Sequence, residues 1–394
     1  MSDSIRVGFD AVPLANDKMT GIGWCEAGQT EALGKLFPND KYSYNLFRCP
    51  TQEQTESAIK RLNGFSHGNI DVNYSGFLGR IYRVLTWFLP IPYNIFFEGK
   101  NDIEHFFNYI VPPLTHGKAV VTVHDMIYKR YPETVRFRTK LNLKIALKRS
   151  MRRAEVIVTD SEFSKKEISY FYPKYASKIK VVPCGVDRNH FKPCDDIKRI
   201  STVKEKYQIS GDYFLYVGTL EPRKNIPVMI DAFCEFVDNC KTTEHPKLVI
   251  TGQKGWLYDS IFEKVKERNV ESDIIFTEYV SSEDINPLMC GAKAFVYPSI
   301  YEGFGMPPLE AMSCGVPVIV SDAASLPEVV GDAAILCKPD STDAFREAFL
   351  EITSDEQLRE SMIQKGLQRA EELSWEASAV KLHKIYEEIM NGEK

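Results

Sequence analysis

Short apolar, β-branched runs recur along this chain, each followed by a turn and then a longer helical pattern. They predict strands at Ile5–Phe9, Ala119–His124, Val156–Thr159, Lys180–Pro183, Tyr213–Val217, Lys247–Thr251, Asp273–Phe276, Ala294–Tyr297 and Val316–Val320. Near-continuous Val/Ile strands are buried on both faces, as in a parallel sheet covered by helices. Strands alternating with helices make a doubly wound α/β fold. The pattern starts twice. Ile5 opens the first half, with a loop reaching Gly21-Ile22-Gly23; Tyr213 opens the second, with a loop from Gly218 through Arg223-Lys224. At 394 residues the chain exceeds one ordinary core and suits two. The reading is two doubly wound α/β domains facing a cleft, 1–196 and 197–373, joined near Asp187–Lys206 and followed by a helix within 374–394. Ligands of such sheets sit at the carboxyl ends of the strands, where these loops leave.

The net charge of −5 argues against a nucleic-acid partner, which asks for a basic domain. Nine scattered cysteines with no Cys-x-x-Cys pair read as reduced thiols in a cytoplasmic protein, with no metal site. The start, MSDSIRVGFDAV, lacks the basic and long apolar regions of a signal peptide. The most membrane-like window, Val84–Phe97, is too short for a bilayer span of about 20 residues and holds Pro90 and Pro92.

Tyr297–Glu310, YPSIYEGFGMPPLE, carries the most chemistry. A strand ends at Pro298, a loop holds Gly303 and Gly305, and Pro307-Pro308 sit where a helix begins. A glycine loop at a helix start presents free N–H groups and the positive end of the dipole to a diphosphate. Glu310, in the first helical turn, has the two acceptor oxygens that suit a vicinal diol such as ribose. Glu302, eight residues earlier, suits a sugar contact or catalytic charge. The plainer alternatives are a dipole-favouring Glu310 and a solvated Glu302. Arg223-Lys224 can neutralise a leaving diphosphate, or stand as an exposed basic pair. His124, at a predicted strand end, can bond a sugar hydroxyl, exchange a proton or serve structurally. Gly23 allows close backbone approach.

Together these pieces resemble glycosyltransferase family 4. The matching segments are EGFGMPPLE, EPRKN, TGIG, VHD, GQKGW at Gly252–Trp256, YPS, and SDAASLPEVVGDAA at Ser321–Ala334. The resemblance spans nearly the whole chain, is strong from Tyr213 to Ala334 and is looser before His105. It implies two Rossmann-like domains of the GT-B type and a last helix that crosses back to the first domain. It also implies residue roles. Glu310 would hold the donor ribose and Glu302 the donor sugar. The N–H groups of Gly303, Phe304, Gly305 and Met306 would meet sugar and diphosphate, and Arg223 and Lys224 the phosphates. His124 would lie beside the sugar, Gly23 would line the acceptor side, and the backbone at Tyr279-Val280 would read the base. Glu278 departs from the pattern, because the family often has glycine before that pair.

The resemblance implies a retaining hexosyltransferase that uses a nucleotide-diphosphate sugar and neither metal nor other cofactor. Retention without an obvious nucleophile points to a front-face route in which the leaving phosphate helps deprotonate the incoming hydroxyl. The flanks GQKGW and SLPEVVGDAA are similar to those of bacterial mannosyltransferases, which gives GDP-mannose as the expected donor. UDP-hexose and dTDP-rhamnose stand as alternatives. A nucleotide-sugar epimerase and a non-catalytic binding protein are the rival readings outside transfer. Residues 136–153, with eight Lys or Arg and no acid, form a basic amphipathic pattern. It suits an anionic membrane surface, with the aromatic stretch near Val84–Phe97 as an added anchor and a lipid-linked saccharide as acceptor. A solvated basic face is the alternative.

Overall fold

A computed structural model describes residues 4–16, 19–65, 69–97, 99–240, 245–255, 258–268 and 270–392, without the side chains of Trp87 and Phe88. Of the residues read above, Met1–Asp3 and Trp256 lie outside the described residues. The chain forms two units. The first runs to Gly185 and resumes at Trp375; the second is Val186–Ser374.

The first unit holds β1 (Arg6–Asp10), β2 (Lys41–Arg48), β3 (Ile70–Leu78), β4 (Ile103–Phe106), β5 (Lys118–Thr122), β6 (Val156–Thr159) and β7 (Ile179–Val181). Their order is β3-β2-β1-β4-β5-β6-β7, with every pairing parallel. The second holds β8 (Tyr213–Val217), β9 (Lys247–Thr251), β10 (Ile274–Glu278), β11 (Ala294–Tyr297), β12 (Val318–Ser321) and β13 (Ala334–Cys337). Their order is β10-β9-β8-β11-β12-β13, again all parallel. Each sheet winds outward in both directions from its first strand, so each has a switch point, at β1/β4 and at β8/β11. A doubly wound sheet opens its ligand crevice there.

Several expectations shift. β5 stops at Thr122, so His124 follows the strand instead of ending it. Gly21-Ile22-Gly23 is the first turn of the helix Gly21–Leu36 and not a loop. The unit boundary lies at Gly185/Val186 and not at 196/197. The segment after Gly185 is tied to the second unit: Val186 N donates to Leu373 O at 3.1 Å and Lys192 N to Asn286 Oδ1 at 3.1 Å. Ser313 Oγ donates to Phe191 O at 2.6 Å.

The helix Trp375–Asn391 belongs to the first unit. It lies so close to Gly21–Leu36 that a Cβ on Gly28 would come within 2.3 Å of the Trp375 ring. Gln29 Nε2 donates to Ser378 Oγ at 2.9 Å, and Tyr386 OH meets His105 Nδ1 at 2.7 Å.

The basic stretch is the helix Phe137–Arg153. Leu147 and Met151 face the core, while Phe137, Leu141 and Ile145 remain exposed at every fourth position. Of the aromatic stretch expected beside it, Tyr93 and Phe97 are buried against Phe47, while the side chains of Trp87 and Phe88 lie outside the described residues. Burying each ring in the core stabilises it more than leaving it wet. The exposed residues nearby are aliphatic: Val84, Leu89 and Ile95. No helix among the described residues is long and apolar enough to cross a membrane.

Candidate active site

The second unit's switch point is where the chemistry collects. After β11 the chain turns through Pro298 to Gly305, whose φ of +107° caps the helix Met306–Ser313. Only glycine takes that conformation without strain. A Cβ there would also strike Leu326 Cδ2 at 2.7 Å. Pro307 and Pro308 preset the first turn but carry no N–H. The donors at the helix start are therefore those of the preceding loop. Ser325 Oγ meets the carbonyls of Glu302 and Phe304 at 2.9 and 2.7 Å. No described residue takes the N–H groups of Phe304, Gly305 or Met306.

Glu302 is buried in this turn and surrounded by donors. Its Oε2 accepts from Arg223 Nη1 at 2.6 Å. Its Oε1 accepts from Lys224 Nζ at 2.6 Å, Ser299 Oγ at 2.6 Å and Tyr297 OH at 3.2 Å. Arg223 Nε also binds Glu221 at 2.5 Å, and Nη1 donates to Tyr301 O at 3.1 Å. Lys224 donates to the Tyr297 hydroxyl as well. Two cations and two carboxylates thus neutralise one another. Arg223 Nη2 keeps no partner among the described residues. It can add a bond to an incoming anion.

Two of the three charges, on Glu302 and Arg223, are held firmly. Burial alone would raise the Glu302 pKa, but Arg223 and Lys224 override it and hold the carboxyl near 2. Burial works against charge on Arg223, yet Glu302 and Glu221 keep it more firmly protonated than usual. Burial and the neighbouring Arg223 lower the Lys224 pKa.

Glu310 is the counterpart. Its carboxyl has no hydrogen-bond partner among the described residues, and loss of water alone raises its pKa to about 7. A half-buried carboxylate without donors beside a loop of free N–H groups is ready to accept hydroxyl hydrogens.

Three glycines hold the cation loop in place. Leu220 N donates to Gln253 O at 2.9 Å and Gly255 N returns to Leu220 O at 3.0 Å. A Cβ on Gly252 would lie 1.9 Å from Gly218 O, and one on Gly255 2.6 Å from Leu220 O. The spacing in GQKGW therefore has a packing reason. Glu278 sits at a bulge of β10 with φ +56°. Glycine takes a left-handed backbone without strain, and Glu278 carries that strain instead. Beyond it Tyr279 is exposed and Val280 is buried.

In the first unit, His124 Nδ1 donates to Asp160 Oδ2 at 2.7 Å and Nε2 to Phe107 O at 2.8 Å. Carboxylate and carbonyl only accept, so both ring nitrogens carry hydrogen. Burial pulls the pKa down, but Asp160 raises it to about 10. With both nitrogens donating to these acceptors, the ring is protonated at neutral pH and offers no free nitrogen as a base. Gly23 packs against Pro13 O, 3.0 Å from where a Cβ would sit.

The structure thus brings Arg223, Lys224 and Glu302 together and places Gly303–Met306 and Glu310 on the same strand-end loop and helix. His124 and Gly23 belong to the other unit. Glu221, Tyr297, Ser299 and Ser325 were missed as individual residues, although EPRKN, YPS and SLPEVV contain them.

Residues 37–190 match the family described as glycosyltransferase family 4, and residues 199–369 the one described as glycosyl transferases group 1. The chain is 36% identical over 285 residues to O-antigen chain mannosyltransferase B of Escherichia coli, covering 70% of this chain and 72% of that one. It is 31% identical over 242 residues to O-antigen chain mannosyltransferase RfbU of Salmonella typhimurium, covering 61% and 62%. Among solved structures, Anabaena HepE in complex with UDP and glucose gives a TM-score of 0.70 at 16% identity, over 97% of this chain and 99% of that one. Such low identity shows the fold alone, two Rossmann-like domains of the GT-B type. With the sequence matches, it places the chain in glycosyltransferase family 4.

Proposed function

We propose that this protein is a retaining hexosyltransferase that moves mannose from GDP-mannose to a saccharide or lipid-linked saccharide acceptor. The observation that carries this reading is Glu302, locked between Arg223 and Lys224 at the switch point that also holds the donor-free Glu310. Glu310 accepts from the ribose hydroxyls. The N–H groups of Gly303 to Met306 face the sugar and diphosphate, with the backbone at Tyr279-Val280 at the base. Arg223 and Lys224 offset the charge that grows on the leaving phosphate, where a metal ion serves in other enzymes. The transfer itself then needs no metal. Glu302 already accepts four hydrogen bonds and has a pKa near 2, so it is a poor nucleophile. That favours a front-face route, with a leaving phosphate oxygen receiving the acceptor's proton. Mannose is chosen because both named relatives are mannosyltransferases.

Calorimetry with GDP-mannose, UDP-glucose, UDP-N-acetylglucosamine and dTDP-rhamnose, without added metal, tests the donor. Binding of GDP-mannose alone, lost in Glu310→Ala, is the expected result; binding of another donor, or of none by folded protein, rejects it. The chain is further read as cytoplasmic and peripheral on the inner face of the cell membrane. The support is the exposed Phe137, Leu141 and Ile145 among the basic residues of their helix. Flotation with anionic but not neutral vesicles is expected, and no flotation removes this part.

A further inference from the structure

Nine scattered cysteines showed no metal spacing, yet folding gathers two of them beside His124. Cys25 comes from the helix Gly21–Leu36, His124 from the loop after β5, Asp160 from the residue after β6 and Cys184 from the loop after β7. Ligand atoms of Cys25, His124 and Asp160 all lie within 4.8 Å of one another. Cys184 Sγ is 3.3 Å from Cys25 Sγ and also interacts with Asp160. All four residues are buried. We propose that Cys25, Cys184, His124 and Asp160 bind one zinc ion that staples the first helix to the ends of β5, β6 and β7.

Two thiols, an imidazole and one carboxylate match zinc, whose structural sites take four such ligands in a tetrahedron. Sulfur ligands disfavour magnesium and calcium. His124 Nε2 donates to Phe107 O at 2.8 Å, the outer bond that usually orients a metal-bound imidazole. Nδ1 is then the atom that meets the ion. Asp160 Oδ1 is buried without a hydrogen-bond partner. Such an orphan is costly unless something uses it, and a cation bound to the same carboxylate draws on both oxygens. Bond lengths of about 2.3 Å to sulfur and 2.0 Å to nitrogen or oxygen put two sulfurs about 3.7 Å apart and the nitrogen–oxygen pair about 3.3 Å apart. The present separations of these two pairs are 3.3 and 2.7 Å, so binding opens these two edges by about half an ångström, with the Cys184 side chain turning to complete the set. The two thiols and the imidazolium each release one proton to solvent. Four protein ligands close the site, so the ion performs no step of the transfer. The proposal does not rest on the donor reading, which concerns the other unit.

The full chain, reconstituted with zinc and desalted, is analysed by elemental mass spectrometry; a parallel sample is loaded with cobalt(II). About one zinc per chain and a thiolate-to-cobalt charge-transfer band are expected. Cys25→Ser and Cys184→Ser should each lower zinc retention by roughly tenfold or more, while Cys49→Ser keeps it. Wild type that retains no zinc and shows no charge-transfer band overturns the proposal. So does zinc retained undiminished by both variants, or a Cys25–Cys184 disulfide found by mass spectrometry in wild type purified without oxidant. The wild-type cobalt spectrum decides the matter even if a variant fails to fold.

Discussion

Glu302 Oε2 and Arg223 Nη1 lie 2.6 Å apart in a buried site, and the other Glu302 oxygen is 2.6 Å from Lys224 Nζ. One carboxylate therefore binds both cations assigned to the donor phosphates, and Glu221 beside Arg223 supplies the second negative charge. Removing one partner of a buried ion pair leaves an uncompensated charge and costs about 3–5 kcal/mol. Glu302→Ala should lower stability by that order in a urea titration, with transfer activity lost. A cost below about 1 kcal/mol would mean the cluster is solvated and the site misread.

Acid should reveal the same residue. The folded pKa of Glu302, about 2, lies below its ordinary value of 4.5. Its contribution is complete above that ordinary value and disappears as pH falls toward 2. Wild type should lose stability through this window more steeply than Glu302→Gln. Parallel curves for the two proteins would assign the acid transition to other groups.

Glu310 carries the opposite sign. Its folded pKa, about 7, is raised, so the stability from its protonated form is present below 4.5 and lost as pH rises through 7. If the carboxylate accepts the ribose hydroxyls, donor affinity should increase from pH 6 to 8. The Glu310→Gln variant should bind weakly and show a flat profile. A wild-type profile that is equally flat would remove Glu310 from the ribose.

Arg223→Gln should lower kcat by about 100- to 1000-fold with a smaller change in donor KM, because the charge it offsets develops only as the phosphate leaves. An effect confined to KM would make Arg223 a ground-state binder.

Gly252→Ala tests the loop that carries the cations. The new methyl would meet Gly218 O at 1.9 Å on a backbone with φ +151°. Either the loop shifts and donor binding falls, or the strain appears as about 1–3 kcal/mol of lost stability. Unchanged binding and unchanged melting together would contradict the close approach.

Much of the frame was legible because it follows from local pattern. Strands at Val156–Thr159, Tyr213–Val217, Lys247–Thr251 and Ala294–Tyr297 coincide with their apolar runs. β2 and β4 did not announce themselves, since they bury polar groups: Asn45 Nδ2 donates to Glu104 at 3.0 Å, and His105 meets Thr122 and Tyr386. Their partners are distant in sequence, so no period of apolar residues marks them. β3 lies at the sheet edge with one mixed face, and its pattern is weak for that reason.

The sequence alone determined the two doubly wound halves, the helix start at Pro307-Pro308, the spacing of Glu302 and Glu310, and the cations at a strand end. Each depends on neighbours within a few residues, where backbone sterics and burial periodicity act directly. Tertiary structure decided what those residues do. It set Glu302 against Arg223 and Lys224 across 78 or more positions, filled both nitrogens of His124, and drew Cys25 and Cys184 together across 159. Those outcomes depend on which strand ends become neighbours in the sheet, a long-range pairing that local propensity does not encode.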